Sequence, residues 1–250
     1  MKTEQIALQL YTVRTLAQRD LLGTLRKVAA MGYGAVELAG LHGLAAAKVR
    51  QTLDELGLRA VSAHVSVAQL EADRGAVIAE MQTLGCDFVV IPWVPVELRG
   101  SAAAVRRLAT SMNGWAAQLR EAGLRMAYHH HDFEFAPLDG STMWDLLTST
   151  LDPALVGLEI DVYWAARGGH DPAALIDRYA SSLPLLHLKD LAHSGTADLP
   201  AGEGALDWEA ILAAARAAGV AWYIVEQDNP VDPLDDVRRA RELMVARALA

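Results

Sequence analysis

A single cysteine, Cys86, in 250 residues leaves no intramolecular disulfide on which a framework could rest. Its apolar neighbours Phe88, Val89 and Val90 predict a buried, structural thiol. The chain also lacks any run approaching the roughly 18 uninterrupted apolar residues of a membrane helix. The opening Met-Lys-Thr-Glu-Gln leads into a strand pattern with no signal-like apolar segment or cleavage site. These absences predict a soluble, cytoplasmic protein with no membrane partner. Basic charge is in deficit, with 22 Lys and Arg against 31 Asp and Glu and a formal net charge of -9. That balance argues against nucleic acid, whose backbone calls for clustered Lys and Arg. With no such cluster to hold a phosphate, a non-phosphorylated substrate is favoured.

What is present is apolar and regularly spaced. Hydrophobic residues make up 52% of the chain, ample for a sizeable core. Short apolar strands alternate with amphipathic helical stretches, and several helices end in a glycine. The predicted strands run over Gln5–Tyr11, Ala35–Leu38, Arg59–Val65, Phe88–Trp93, from Leu124 towards His129, Val156–Asp161, Leu185–Lys189 and Trp222–Glu226. The helices between and after them are expected near Asp20–Met31, Leu44–Leu56, Val67–Leu84, Ala102–Ala122, Thr142–Thr150, Pro172–Ser181, Trp208–Ala218 and Pro233–Leu249. Eight β-α units with short connections predict an α/β protein, a single (β/α)8 barrel occupying residues 1–250 as one domain. A doubly wound open sheet is the runner-up. It lacks the Gly-x-Gly-x-x-Gly fingerprint after an early strand.

Barrel enzymes carry their chemistry at the C-terminal ends of the strands. Here those ends hold Gln9 and Tyr11, Glu37, His64, Trp93, His129 with His131 and Glu134, Glu159 with Asp161, His187 with Lys189 and Asp190, and Glu226 with Asp228. The fifth is the richest, running Tyr128-His129-His130-His131-Asp132-Phe133-Glu134-Phe135. Side chains alternate faces in a strand, so His129 and His131 share a face and His130 points away. His129, Asp161, His187 and Glu226, from strands five to eight, form a candidate set of two imidazoles and two carboxylates. Such a mixed set suits Mn, Fe, Co or Zn better than Ca or Mg. A cation held there could grip adjacent hydroxyl and carbonyl oxygens of a sugar-like substrate and stabilise the enediolate formed by proton loss beside the carbonyl. Glu159, one pleat deeper than Asp161, is a candidate to orient a ligand or to make a structural ion pair in the barrel floor.

Six short motifs in order resemble the xylose-isomerase-like TIM-barrel superfamily of sugar isomerases, epimerases and related lyases. They are Ala7-Leu8-Gln9-Leu10-Tyr11-Thr12-Val13-Arg14, the histidine stretch above, Glu159-Ile160-Asp161-Val162-Tyr163-Trp164, His187-Leu188-Lys189-Asp190, Gly202-Glu203-Gly204-Ala205-Leu206-Asp207-Trp208 and Val225-Glu226. The resemblance covers essentially the whole chain and is specific for the superfamily, not for a substrate. It implies Asp161, His187 and Glu226 as metal ligands. The strand-five ligand, usually a glutamate, corresponds here to His129. That departure puts a two-glutamate proton exchange in doubt unless Glu134 substitutes. The Tyr-His-x-His pattern is similar to the inosose dehydratase branch.

The expectation is therefore a divalent-metal-dependent sugar isomerase or epimerase acting on a small polyhydroxylated carbonyl compound. Glu226 is placed as ligand and acid/base, with His131 or Glu134 as its partner and Lys189 as a donor to the substrate. A dehydratase or lyase on a keto-inositol or 3-keto-glycoside is the alternative, and a non-catalytic sugar-binding barrel is a further one. An endonuclease-IV-like activity would need more ligands and a basic surface. Tyr11, Trp93 and Trp164 are candidate stacking walls, and His64 and Glu203 candidate substrate contacts. Each has a plain packing or solvated role as its alternative, and Trp115 and Trp144 read as core. A homo-oligomer is compatible with all of this.

Overall fold

The computed structural model describes residues 1–249; Ala250, the last residue of the expected domain, lies outside them. Eight parallel strands close into a barrel: β1 Ile6–Gln9, β2 Ala35–Leu38, β3 Arg59–His64, β4 Phe88–Ile91, β5 Arg125–His129, β6 Val156–Asp161, β7 Leu185–Leu188 and β8 Trp222–Val225. Each pairs with its neighbour in sequence, and β1 closes on β8 through Ile6↔Tyr223 and Leu8↔Val225. The expected (β/α)8 architecture is therefore the one observed. Its interior mixes Ala7, Ala35 and Ala127 with Val61, Phe88, Val90, Leu185 and Ile224, a filled core and not a pore. A larger apolar layer lies between the strands and the surrounding helices, and Cys86, Trp115 and Trp144 are buried in it. No helix among the described residues is long and apolar enough to cross a membrane.

Strand register decides where the site sits. Gln9 pairs with Glu37, His129 with Glu159 and Asp161 with His187, so the polar strand ends lie side by side at one mouth of the barrel. Two expected helices have different boundaries and one helix is additional, each with a capping aspartate at the point of difference. The first helix spans Arg14–Ala30, with Asp20 in an extended conformation inside it (φ -158°, ψ 87°) and its carboxylate accepting from Gly23 N. Asp73 divides the expected Val67–Leu84 helix into Val67–Ala72 and Arg74–Leu84 and accepts from Ala76 N. Asp161 starts a short helix, Val162–Arg167, directly off β6. In each case the side chain accepts from amides of the first helical turn, which have no partner within the helix. The expected β4 is two residues too long, because Pro92 follows Ile91 and Trp93 lies beyond it. A small hairpin, Pro137–Leu138 with Ser141–Thr142, turns on Asp139-Gly140, both at positive φ. This is the Asp-Gly hairpin signal.

Candidate metal and substrate site

The strand ends converge on a buried polar cluster. His129 Nδ1 lies 3.0 Å from Glu159 Oε2, so this nitrogen carries the proton and Nε2 is left free. His187 stands between carboxylates: Nδ1 is 2.9 Å from Glu226 Oε2, while Nε2 is 2.8 Å from Glu37 Oε1 and 3.1 Å from Glu159 Oε2. Burial works against charge on His187, but Glu159, Glu226 and Glu37 outweigh it and raise its pKa well above the usual value. His129, facing mostly other cations, is driven the opposite way by burial and then by His187. Buried carboxylates behind imidazoles orient ligand rings and make them more basic. Glu159 stands behind both rings, the position from which a carboxylate would orient them towards an ion.

Asp161 divides its two oxygens. Oδ1 accepts from Tyr163 N at 2.9 Å and Trp164 N at 3.1 Å, capping the helix that follows. Oδ2 is buried and has no hydrogen-bond partner. Lys189 Nζ lies 3.0 Å from that oxygen, close enough for an ion pair but not aligned for a hydrogen bond, and 2.8 Å from both Glu226 Oε2 and Asp228 Oδ2. Lys189 is fully buried, and these three carboxylates overcome the burial penalty and raise its pKa well above that of a free lysine. The neighbouring helix layer adds a tie: His130, on the outer face, accepts from Asp161 N at Nε2 (3.2 Å) and bonds the His131 carbonyl through Nδ1 (3.0 Å).

A cavity of about 460 Å³ opens over this cluster, lined among others by Tyr11, His64, Gln69, Trp93, His129, His131, Glu226 and Asp228. Tyr11 and Trp93 stand at its mouth, 42% and 49% exposed. A second cavity, about 490 Å³, lies around Phe88, Arg125 and Pro184 and is lined by no carboxylate or imidazole. Chemistry therefore favours the first, although the second is slightly larger.

The model of the family described as xylose isomerase-like TIM barrel matches residues 25–247. The chain belongs to this family. It is 27% identical over 197 residues to an inosose dehydratase of Geobacillus kaustophilus (strain HTA426), covering 68% of this chain and 61% of that protein. An inosose dehydratase of Lacticaseibacillus casei is 25% identical over 162 residues, 56% of this chain and 53% of that one. The chain thus spans between about half and three fifths of these relatives' lengths. Among solved structures, a sugar phosphate isomerase/epimerase from Parabacteroides distasonis superposes with a TM-score of 0.85 at 22% identity, covering 96% of this chain and 93% of that one. The IolI protein with a binding zinc atom gives 0.77 at 14% identity, with 98% of both chains covered. At these identities the structural likenesses establish the fold.

The candidate site of this xylose isomerase-like chain lies at the C-terminal ends of the strands, where barrel enzymes carry their chemistry. The sequence-predicted set His129, Asp161, His187 and Glu226 is brought together, with one ligand atom of each within 4.8 Å of the others. Two nitrogens, two oxygens, the unpartnered Asp161 Oδ2 and carboxylates behind both imidazoles fit a divalent transition-metal ion. His131 lines the cavity, and its Nδ1 is buried without a partner. Burial, then the Lys189 ammonium, pushes its pKa down to about 3, so it is a neutral imidazole at pH 7. Trp164 packs against His131, and its ring lies 5.4 Å from Lys189 Nζ; its indole nitrogen is also buried and unpartnered.

Trp164, expected as a stacking wall, is therefore behind His131 and not among the residues lining the cavity, and two more candidates lie elsewhere. Glu134 is turned from the cavity: Tyr128 Oη donates to its Oε1 at 2.7 Å and His131 N to its Oε2 at 2.8 Å. The strand ends at His129, and the 3-10 turn Phe133–Phe135 carries Glu134 to the outer layer with Tyr128. Glu203 pairs with Arg239 of the last helix at 2.7 Å, on the outside of the Gly-rich loop. Conversely, Gln9, Glu37 and Asp228 were legible only as polar strand ends. The structure gives them partners: Gln9 Nε2 donates to Glu37 Oε1 at 2.6 Å, and Asp228 anchors Lys189.

Proposed function

We propose that this protein abstracts a proton beside the carbonyl of a small polyhydroxylated compound, as a divalent-metal-dependent sugar isomerase or epimerase. The observation that carries the reading is the meeting of His129, Asp161, His187 and Glu226 beside a buried ammonium, under a cavity large enough for a sugar. A divalent ion held by those four residues would supply Lewis acidity to a carbonyl oxygen. The other roles fall to the chain itself. Glu226, held as the carboxylate by Lys189 and His187, faces the cavity and receives a proton. Neutral His131 serves as the second base on the strand-five side, the role for which Glu134 is out of reach. Lys189, buried among Asp161, Glu226 and Asp228, holds Glu226 in place and lends positive charge to the side on which negative charge grows. Tyr11 and Trp93 shield the mouth and offer flat apolar faces to sugar rings.

A second reading, loss of water after the same proton abstraction, is favoured by two observations. The curated relatives are inosose dehydratases, and only one side of the cavity presents carboxylates, Glu226 and Asp228. One experiment addresses both. Keto-sugars and keto-inositols are incubated in D₂O with metal-loaded protein and followed by NMR. Deuterium uptake beside the carbonyl, abolished by chelation and in Asp161→Asn, supports the shared first step. The products then separate rearranged sugar from dehydrated sugar. Equal exchange by chelated and loaded protein would overturn the metal-dependent reading.

A further inference from the structure

The second cavity, about 490 Å³, lies at the barrel's other mouth, away from the candidate metal and substrate site. Arg125 opens β5 there and pairs in register with Phe88, whose ring faces the barrel interior. Strand parity therefore turns Arg125 inward, on the same face as Ala127 and His129 and at the opposite end of the strand from His129. Its guanidinium carbon lies 3.8 Å from the Phe88 ring centroid, a stacking that orients the group. Arg120, in the last turn of the helix Ala102–Glu121, lines the same cavity from across the turn at Gly123.

No carboxylate lines this cavity, and among the described residues neither guanidinium has an ion pair or a hydrogen bond. Arg59 is the contrast: it also lies over a ring, that of Trp222, but is paired with Asp87. Residues at the N-terminal face of a barrel ordinarily serve stability. An unpaired guanidinium adds no ion pair to that end, and its N–H donors are left to a ligand or to water. In a chain of net charge -9, a cavity with two such groups and no carboxylate is where an anion is least repelled. The walls around them are apolar, formed by Leu124, Met126, Leu155, Leu183 and Pro184. A free phosphate or sulfate gains nothing from such walls, whereas an organic anion buries its body against them.

We propose that this cavity binds a small organic carboxylate with a flat apolar body, held by Arg125 and Arg120. The guanidinium fork of Arg125 meets the carboxylate through two parallel N–H···O bonds. The apolar body then lies against Leu155, Leu183 and Pro184. A cavity of about 490 Å³ falls within the range of small-molecule sites. The inference is independent of the reaction proposed at the opposite mouth.

The probe is 2-naphthoate, titrated into the full chain and followed by isothermal calorimetry and by amide shifts in NMR spectra. Wild type is expected to bind one 2-naphthoate per chain, with shifts centred on Arg125, Gly157, Ser181 and Ser182. Arg125→Gln, which removes the charge, is expected to weaken binding about tenfold or more. Ala154→Trp, which fills the cavity from an exposed wall position, is expected to abolish it. The neutral 2-naphthamide is expected to bind about tenfold more weakly than the carboxylate. Circular dichroism confirms that each variant is folded, and the two variants lie on different segments. Affinity unchanged in Arg125→Gln or Ala154→Trp, equal binding of the amide, or no binding at millimolar concentration overturns the proposal. Shifts centred instead on His64, His129 and His131 overturn it too. So does a wild-type dimer that Arg125→Gln dissociates in light scattering, which would make this face an interface between copies.

Discussion

Asp190 should be the most expensive single polar side chain to remove outside the site. It is fully buried just past β7, and its carboxylate accepts five hydrogen bonds. Oδ1 takes Leu191 N at 2.8 Å and Leu206 N at 3.2 Å. Oδ2 takes Gly202 N at 3.0 Å, Gly204 N at 2.8 Å and Trp208 Nε1 at 2.6 Å. The whole Gly-rich loop is wound around this one anion. In Asp190→Asn the amide oxygen can keep at best the three bonds of Oδ2, while its NH₂ group faces the two amides that Oδ1 served. Two charge-assisted bonds are lost outright and three become neutral. At roughly 1–2 kcal/mol for each lost bond, partly recovered by water at the loop surface, the variant should lose about 2–3 kcal/mol. Asp190→Ala, which orphans all five donors, should lose about 3–5 kcal/mol. Urea unfolding followed by circular dichroism measures the loss, and hydrogen exchange at Gly202, Gly204 and Leu206 localises it. Metal content should be unchanged, because no ligand moves. An Asp190→Asn protein within about 0.5 kcal/mol of wild type, with those amides still protected, would refute the reasoning.

Two further outcomes follow from buried titrating groups. Burial lowers the His130 pKa to about 4, consistent with its Nε2 accepting from Asp161 N. A histidine depressed in the folded state binds its proton first when unfolded, so stability is full above about pH 6.5 and is lost as pH falls towards 4. The loss is about 3 kcal/mol in the limit. His130→Gln should flatten that part of the acid limb in unfolding titrations, and an identical limb would count against a neutral His130. Burial, then Asp87, pushes the Cys86 thiol up to about 12. The native protein should therefore resist iodoacetamide at pH 8 and label fully in denaturant, as read by mass spectrometry; rapid native labelling would contradict this.

Much of the barrel was legible because its signals are local. Alternating strands and helices closed by Gly57, Gly85 and Gly219, all left-handed in the structure, need only a few neighbouring residues to be recognised. The reading of β5 held as far as the strand did. Parity placed His129 inside and His130 outside, but beyond His129 the chain turns, and the same counting no longer locates Glu134. The break at Asp73 was missed because a capping aspartate inside a helical pattern looks like an exposed polar position, and the helical turns from Arg14 that precede the expected start at Asp20 were missed as well. Asp139-Gly140 was a readable hairpin signal that went unused.

By itself, then, the sequence determined the unit, the repeat and which side chains stand at the strand ends, since backbone periodicity and chain order are properties of neighbouring residues. Tertiary structure alone decided who meets whom. Closure of β1 against β8 and the register of β2 set Gln9 against Glu37 and Glu37 against His187, a residue 150 positions from it along the chain. Lys189 could have paired with Asp190 or Glu159 by sequence; in the folded barrel it joins Asp161, Glu226 and Asp228, while Asp190 faces outward to hold the loop. Such pairings depend on the angle around a closed ring, and no local pattern encodes that angle.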